Sequence, residues 1–119
     1  MTPKADDNII IKPAVSDDMH SLSEIAALSF TDPWSERLFK EAFESVYTKI
    51  FTANDNSGEI IGYVVLSETG DDISVDDIAV SPDFRRMGIG RSLLKYSFNE
   101  YSKRNFILEV RESNLSAID

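Results

Sequence analysis

The segment Arg85-Arg86-Met87-Gly88-Ile89-Gly90-Arg91 sets two glycines and three arginines between a proline-marked turn and an apolar run. Glycine there lets backbone N–H groups come close to an anion, and the start of a following helix adds partial positive charge. Arg85, Arg86 and Arg91 add full charges at the rim. The chemistry this suits is binding of a phosphate or pyrophosphate. Two commoner phosphate loops do not fit, since a Walker loop ends in Gly-Lys-Ser/Thr and a dinucleotide fingerprint has a third glycine and a later acid. An ordinary strand-to-helix turn with exposed arginines is the competing reading. A second loaded position is Glu109, an acid inside the apolar stretch "FILEV". A carboxylate there is costly to bury unless partnered or neutral, and partial burial suits it to accept protons near neutral pH. A salt bridge to Arg111 is the alternative use.

Composition narrows the choices. The 119 residues allow one domain with a real core, and 42% hydrophobic with 28% charged residues is a globular balance. There is no cysteine, which excludes disulfides, thiolate nucleophiles and thiolate-bound zinc, and the single His20 builds no histidine metal site. His20 is expected as a solvated helix residue. No metal is expected. The net charge of −9 argues against a broad nucleic-acid surface and favours a cationic ligand such as an amine or basic peptide, or simply keeps the chain in solution. No apolar run reaches the roughly 20 residues that cross a bilayer, so no membrane partner is expected. The start, "MTPKADDNIIIKPAVSDD", is unlike a signal peptide, which makes the cytoplasm the expected location.

The elements that must position these residues can be read from periodicity. "NIIIKPAV" (8–15) is a strand ended by Pro13; 17–29 is a helix with Ser16 as cap; 31–45 is a helix with Asp32 capping and Pro33 in first position. In that second helix Trp34, Leu38, Phe39, Ala42 and Phe43 share a side. Strands follow at 46–54, 59–68 and 71–80, the first two joined by a "DNSG" turn. A helix over 88–104 carries Leu94, Phe98 and Tyr101 on one face, and a strand over 105–112 leads into a helix begun by "SNLSAID". The order β-α-α-β-β-β-α-β-α predicts an α/β (α+β) fold, a mixed and largely antiparallel twisted sheet flanked by helices. The acids Asp71, Asp72, Asp76 and Asp77 are expected on a solvated strand edge, with attraction of an amine as the other reading.

"DDIAVSPDFRRMGIGRSLL" resembles the acetyl-CoA motif of the GCN5-related N-acetyltransferases, V-x-P-x-x-[QR]-x-x-G-x-G/A. "LEVRESNLSAID" and "DPWSERLF" are similar to segments of that family's RimI branch, the ribosomal-protein-alanine N-acetyltransferases. The resemblance implies that Ile78, Ala79 and Val80 pair through backbone with the pantetheine arm of acetyl-CoA. It implies that Arg85, Arg86, Met87, Gly88, Ile89, Gly90 and Arg91 cradle the pyrophosphate, and that Asn114 touches coenzyme A, unless it serves only as a helix cap. It places the proton acceptor at Glu109 and the acceptor site by Pro33 and Trp34, although an aromatic there is also a core residue.

The same resemblance implies departures. In RimI-like members the last helix continues into Leu-Tyr, and that tyrosine gives a proton to the leaving thiolate. Here the sequence stops at Asp119, so a single acetyltransferase domain over 1–119 is expected to lack its C-terminal part, including the last two strands. An open sheet edge would then invite a second copy of the chain. None of Tyr47, Tyr63, Tyr96 and Tyr101 matches the missing tyrosine. The activity implied is acetyl transfer from acetyl-CoA to a protein N-terminal α-amine, such as the alanine of a small-subunit ribosomal protein. A small amine or a lysine as acceptor, and a non-catalytic coenzyme-A-binding module, are the alternatives.

Overall fold

Residues 9–101 and 104–108 are described by the computed structural model. Five strands, β1 (Ile10–Pro13), β2 (Thr48–Asn54), β3 (Ile60–Thr69), β4 (Asp72–Val80) and β5 (Asn105–Leu108), lie side by side in chain order. β1 to β4 are antiparallel neighbours, and β5 joins β4 in parallel. The parallel step needs a crossover, supplied by α3 (Ile89–Glu100). Two further helices, α1 (Met19–Ser29) and α2 (Glu36–Glu44), fill the β1–β2 connection. The mixed, mostly antiparallel architecture is the one expected; the stretches 109–112 and 113–119 lie outside the described residues.

Two apolar layers hold the sheet between them. Met19, Leu22, Ile25 and Ala26 of α1 and Phe39 of α2 pack on Ile50, Tyr63, Val65 and Ala79. On the opposite face Ile89, Leu93 and Leu94 of α3 pack on Phe51, Val64, Leu66, Ile73, Val75, Ile78 and Val80. Each fully buried Ile or Leu in these layers contributes about 1.5–3 kcal/mol relative to exposure. Gly62 is the contact point for α3: a Cβ there would stand 3.2 Å from the Ala79 carbonyl oxygen and 3.5 Å from both Ile89 and Leu93.

Three boundaries depart from the sequence reading. α2 begins at Glu36, not 31, because Ser35 caps it: its Oγ accepts from the Leu38 N–H at 3.2 Å. Asp32 and Pro33 therefore belong to the connection, and Leu38 and Phe43 are exposed while Phe39 is fully buried. α1 is preceded by one 3-10 turn (Ser16–Asp18), in which the Asp18 carboxylate, not Ser16, accepts from the Val15 N–H at 2.8 Å. α3 stops at Glu100, four residues early, and buries Ile89, Gly90, Leu93, Leu94 and Ser97. Phe98 falls off that face and leans on Phe106 of β5 at 4.6 Å between ring centres.

The fourth departure organises the site. Along β4 the side chains facing α3 are Ile73 and Val75, then Ile78 and Val80, so the two-residue period slips by one. Pairing with β3 shows the cause. Val65 opposes Asp77 and Leu66 opposes Val75, which leaves Asp76 as the extra residue of a bulge.

Candidate functional site

Beyond the bulge, one edge of β4 is unpaired among the described residues. Pairing with β5 runs from Asp72↔Asn105 to Val75↔Leu108 and, among the described residues, goes no further. On the other side the Ser81 N–H donates to the Ile61 carbonyl at 2.8 Å. By the alternation of an antiparallel ladder, Ala79 also turns its N–H and C=O towards β3, whereas Ile78 and Val80 turn theirs to the free edge. The side chains of Ile78, Ala79 and Val80 are buried. Their backbone is thus what an extended ligand laid along this edge would meet, as in strand addition.

The chain then turns through a 3-10 turn (Pro82–Phe84) into the glycine loop. Arg86 has φ 64° and Gly88 φ 80°, so two residues of three are left-handed. The conformation costs a non-glycine residue roughly 1–2 kcal/mol, and such strain clusters at ligand-binding loops. Successive left-handed and right-handed residues turn backbone N–H groups to one side and form an anion-binding concavity. Gly88 is also the N-cap of α3 and has no side chain to cap that end, so the helix dipole faces the loop. Phe84 to Asn99 holds four cations, Arg85, Arg86, Arg91 and Lys95, and no acid, within a chain of net charge −9. A groove of about 460 Å³ continues from Met87 and Gly88 past Arg91 and Lys95 along α3.

The three arginines do not act alike. Arg86 and Arg91 are exposed at the rim, as expected. Arg85 instead turns inward: its Nε donates to the Val80 carbonyl at 3.0 Å and its Nη2 to Ser29 Oγ at 3.1 Å. Ser29 in turn donates to the Ile25 carbonyl at 2.7 Å, so Arg85 ties the end of β4 to the last turn of α1. Its backbone stays in the loop while its charge serves the scaffold. Met87 and Gly88 are half-buried, and Ile89 and Gly90 are buried under the helix start.

Pro33 and Trp34, read as acceptor-lining, stand half-buried in the connection that leaves α1. Trp34 packs on Phe39 with ring centres 5.2 Å apart, and Phe39 on Tyr63 edge-to-face at 5.2 Å. Tyr63 completes the run by donating its O–H to Asp77 Oδ2 at 2.8 Å, with both residues fully buried. The expectation that Asp77 is a solvated edge acid is therefore overturned, because the bulge turns it under α1 and α2. Asp71 and Asp76 are exposed as expected. Sequence reasoning missed the Tyr63–Asp77 pair, though the apolar spacing 73, 75, 78, 80 already signalled the slip. Glu109 and Asn114 lie outside the described residues. Among the described residues no group of three or more His, Cys, Asp or Glu could hold a metal, and no helix is long and apolar enough to cross a membrane.

Among the described residues, an open strand edge thus leads into a glycine- and arginine-rich loop at the start of α3. The sequence model of the acetyltransferase (GNAT) family matches residues 19–119. The chain belongs to that family. It is 33% identical over 104 residues to the [ribosomal protein bS18]-alanine N-acetyltransferase of Escherichia coli, covering 85% of this chain and 69% of that enzyme. The crystal structure of the ribosomal-protein-S18-alanine N-acetyltransferase from Escherichia coli superposes with a TM-score of 0.80 at 30% identity, over 92% of this chain and 72% of that one. A phosphinothricin acetyltransferase from Sinorhizobium meliloti, solved in complex with AcCoA, shares the fold at TM-score 0.76 and 22% identity, over 92% and 71% of the two chains. This GNAT chain is thus an N-acetyltransferase by family, and its mixed, mostly antiparallel sheet matches that fold.

Proposed function

We propose that this chain transfers the acetyl group of acetyl-CoA to the N-terminal α-amine of a protein, with an N-terminal alanine of a ribosomal protein as the preferred acceptor. The observation that carries the donor half is the backbone edge of Ile78 and Val80, open among the described residues and running directly into the left-handed loop at the start of α3. The donor set fits the ligand. Backbone donors at 86–90 and the exposed Arg86 and Arg91 suit a pyrophosphate, and the edge amides suit the amide-bearing pantetheine arm. The acceptor half is supported by likeness to enzymes named for bS18 alanine, and by Pro33 and Trp34 beside the end of α1.

Acetyl-CoA supplies a thioester: the amine nitrogen forms the new N–C bond, the C–S bond breaks, and coenzyme A leaves as a thiolate. This chain's part is to fix the donor and move protons. Ile78 and Val80 orient the arm, with an edge N–H to polarise the carbonyl oxygen. Arg86 through Arg91 anchor the far end, Asn114 adds a coenzyme A contact, and Glu109 accepts the proton that the amine loses, directly or through water.

Calorimetric titration of the 119-residue chain with acetyl-CoA, repeated on Arg86→Glu, tests the donor site. Saturable binding that the variant weakens is expected; a folded chain that does not bind overturns the reading. Mass spectrometry of a panel of Ala-terminal peptides, lysine peptides and small amines tests the acceptor, and acetylation confined to small amines overturns it. Full activity in Glu109→Gln would remove the proton role from Glu109.

A further inference from the structure

We infer that Tyr63 and Asp77 form a buried brace that selects the bulged register of β4 and so presents the Ile78 and Val80 backbone to the acyl donor, an inference that rests on the donor reading above. The two side chains are diagonal neighbours across β3 and β4: Tyr63 pairs with Ala79, and Asp77 with Val65. A tyrosine is long enough to reach along that diagonal, and its O–H meets Asp77 Oδ2 at 2.8 Å.

Without the extra residue at Asp76, the alternation of Ile73 and Val75 would continue to 77 and 79. The Asp77 carboxylate would then enter the apolar layer of Val64, Leu66 and Leu93, while Ile78 and Val80 turned to the α1–α2 side. Val64, Leu66 and Leu93 offer the carboxylate no donor, and the tyrosines that pack on the same layer, Tyr96 and Tyr101, are only partly buried. The hydroxyl of Tyr63 waits on the opposite face. A buried carboxylate needs a donor, so the pair favours the slipped register, as buried polar groups do where they specify one arrangement over a near-equal one.

Backbone polarity follows the same slip. In the bulged register Ala79 faces β3, and Ile78 and Val80 face the free edge; one step of slippage exchanges them. Tyr63 is therefore a positioning residue. It touches no substrate and acts by deciding which amides the donor meets.

The test compares acetyl-CoA binding in wild type, Tyr63→Phe and Asp77→Asn across a range of salt concentrations. Tyr63→Phe is expected to weaken binding about tenfold, the size of one hydrogen bond to a charged group, with an unchanged salt slope because Arg86 and Arg91 are untouched. Asp77→Asn keeps an oxygen for the Tyr63 hydroxyl and is expected to stay within about threefold of wild type. A Tyr63→Phe protein that melts earlier yet binds as wild type overturns the brace, as does Asp77→Asn losing as much as Tyr63→Phe. Should Tyr63→Phe not fold, hydrogen exchange on the wild type decides. The Ala79 and Val65 amides are both expected to exchange only with global unfolding, and much faster local exchange at Ala79 overturns the inference. A wild type that binds no acetyl-CoA overturns the donor reading instead, and the exchange measurement still tests the brace.

Discussion

The two halves of β4 differ in what their edges do. From Asp72 to Val75 the strand is paired on both sides and its inward side chains, Ile73 and Val75, are core. From Asp77 to Val80 the side chains are buried on both faces, but one edge is left open among the described residues. One extra residue, Asp76, separates the two. A strand can thus be structural and functional in turn without its core side chains leaving the core, because the function is carried by main-chain groups that burial of the side chains holds still. Substitutions should therefore split cleanly: those in the lower half cost stability, and those at the mouth of the upper half cost binding.

The largest expected effect tests the lower half. Ile73→Ala removes a fully buried side chain and should cost about 2–4 kcal/mol of unfolding free energy by chemical denaturation, while acetyl-CoA affinity in the folded protein stays put. A large loss of affinity alongside would break the division. Next is Gly88→Val at the loop. Nothing lies within 4 Å of where its Cβ would go, so the penalty is the left-handed φ of 80° alone. Forcing a β-branched residue there costs roughly 1–2 kcal/mol, read by calorimetry as a lower melting point where the loop keeps its shape and as an acetyl-CoA complex weaker by up to about tenfold where the loop relaxes and binding must restore it. Gly88→Asn should fall between, because asparagine tolerates that region better.

How far the sequence foretold this division depends on which atoms carry it. The loop was legible because its requirement is for residue types: glycine for a left-handed cap, and basic side chains where the rest of the chain is acidic. The order of elements along the chain and the Asp55–Gly58 turn were legible for the same reason, through period and turn chemistry. The Asp77 placement was not, because which of two adjacent acids faces inward depends on a one-residue bulge that pairing with β3 decides. Arg85 was misjudged for a related reason. Three arginines look alike in sequence, and only the packing of α1 against the end of β4 supplies Ser29 and the Val80 carbonyl as partners for one of them. The helix start at Glu36 turned on Ser35 outcompeting Asp32 for the cap, a choice that propensity leaves nearly even.

Arg86 sharpens the comparison further, since it carries both charge and strain. Arg86→Gly removes the charge but relaxes the φ of 64°, and should stabilise the fold slightly while weakening acetyl-CoA binding by only about threefold. Arg86→Glu should weaken it more and flatten the salt dependence, because a cation is replaced by an anion at the rim. If the glycine variant lost binding as completely as the glutamate one, the loop would be a charge site and not a backbone site.

The smallest effect concerns the outer counterpart of the Tyr63–Asp77 brace. His20 on α1 lies with Nδ1 2.8 Å from Glu36 Oε1 on α2 and Nε2 3.5 Å from Glu24. The hydrogen bond to Glu36, then the charges of Glu24 and Glu36, raise the His20 pKa above its ordinary 6.5. The same hydrogen bond and that from Lys40 lower the Glu36 pKa. A raised histidine adds stability that is fully present below its unfolded pKa and is lost as pH rises through the folded one. The lowered Glu36 adds stability present above its unfolded pKa and lost as pH falls through the folded one. The pair thus supports the α1–α2 layer only between the carboxylate range and the raised histidine value. Following the His20 ring protons by NMR should give a midpoint above 6.5 that Glu36→Gln brings back towards it. The accompanying change in melting should be slight, because His20 is mostly exposed and surface ion pairs are worth little. A large change would mean that this exposed contact, and not the burial of Leu22, Phe39 and Tyr63, holds the layer over β4.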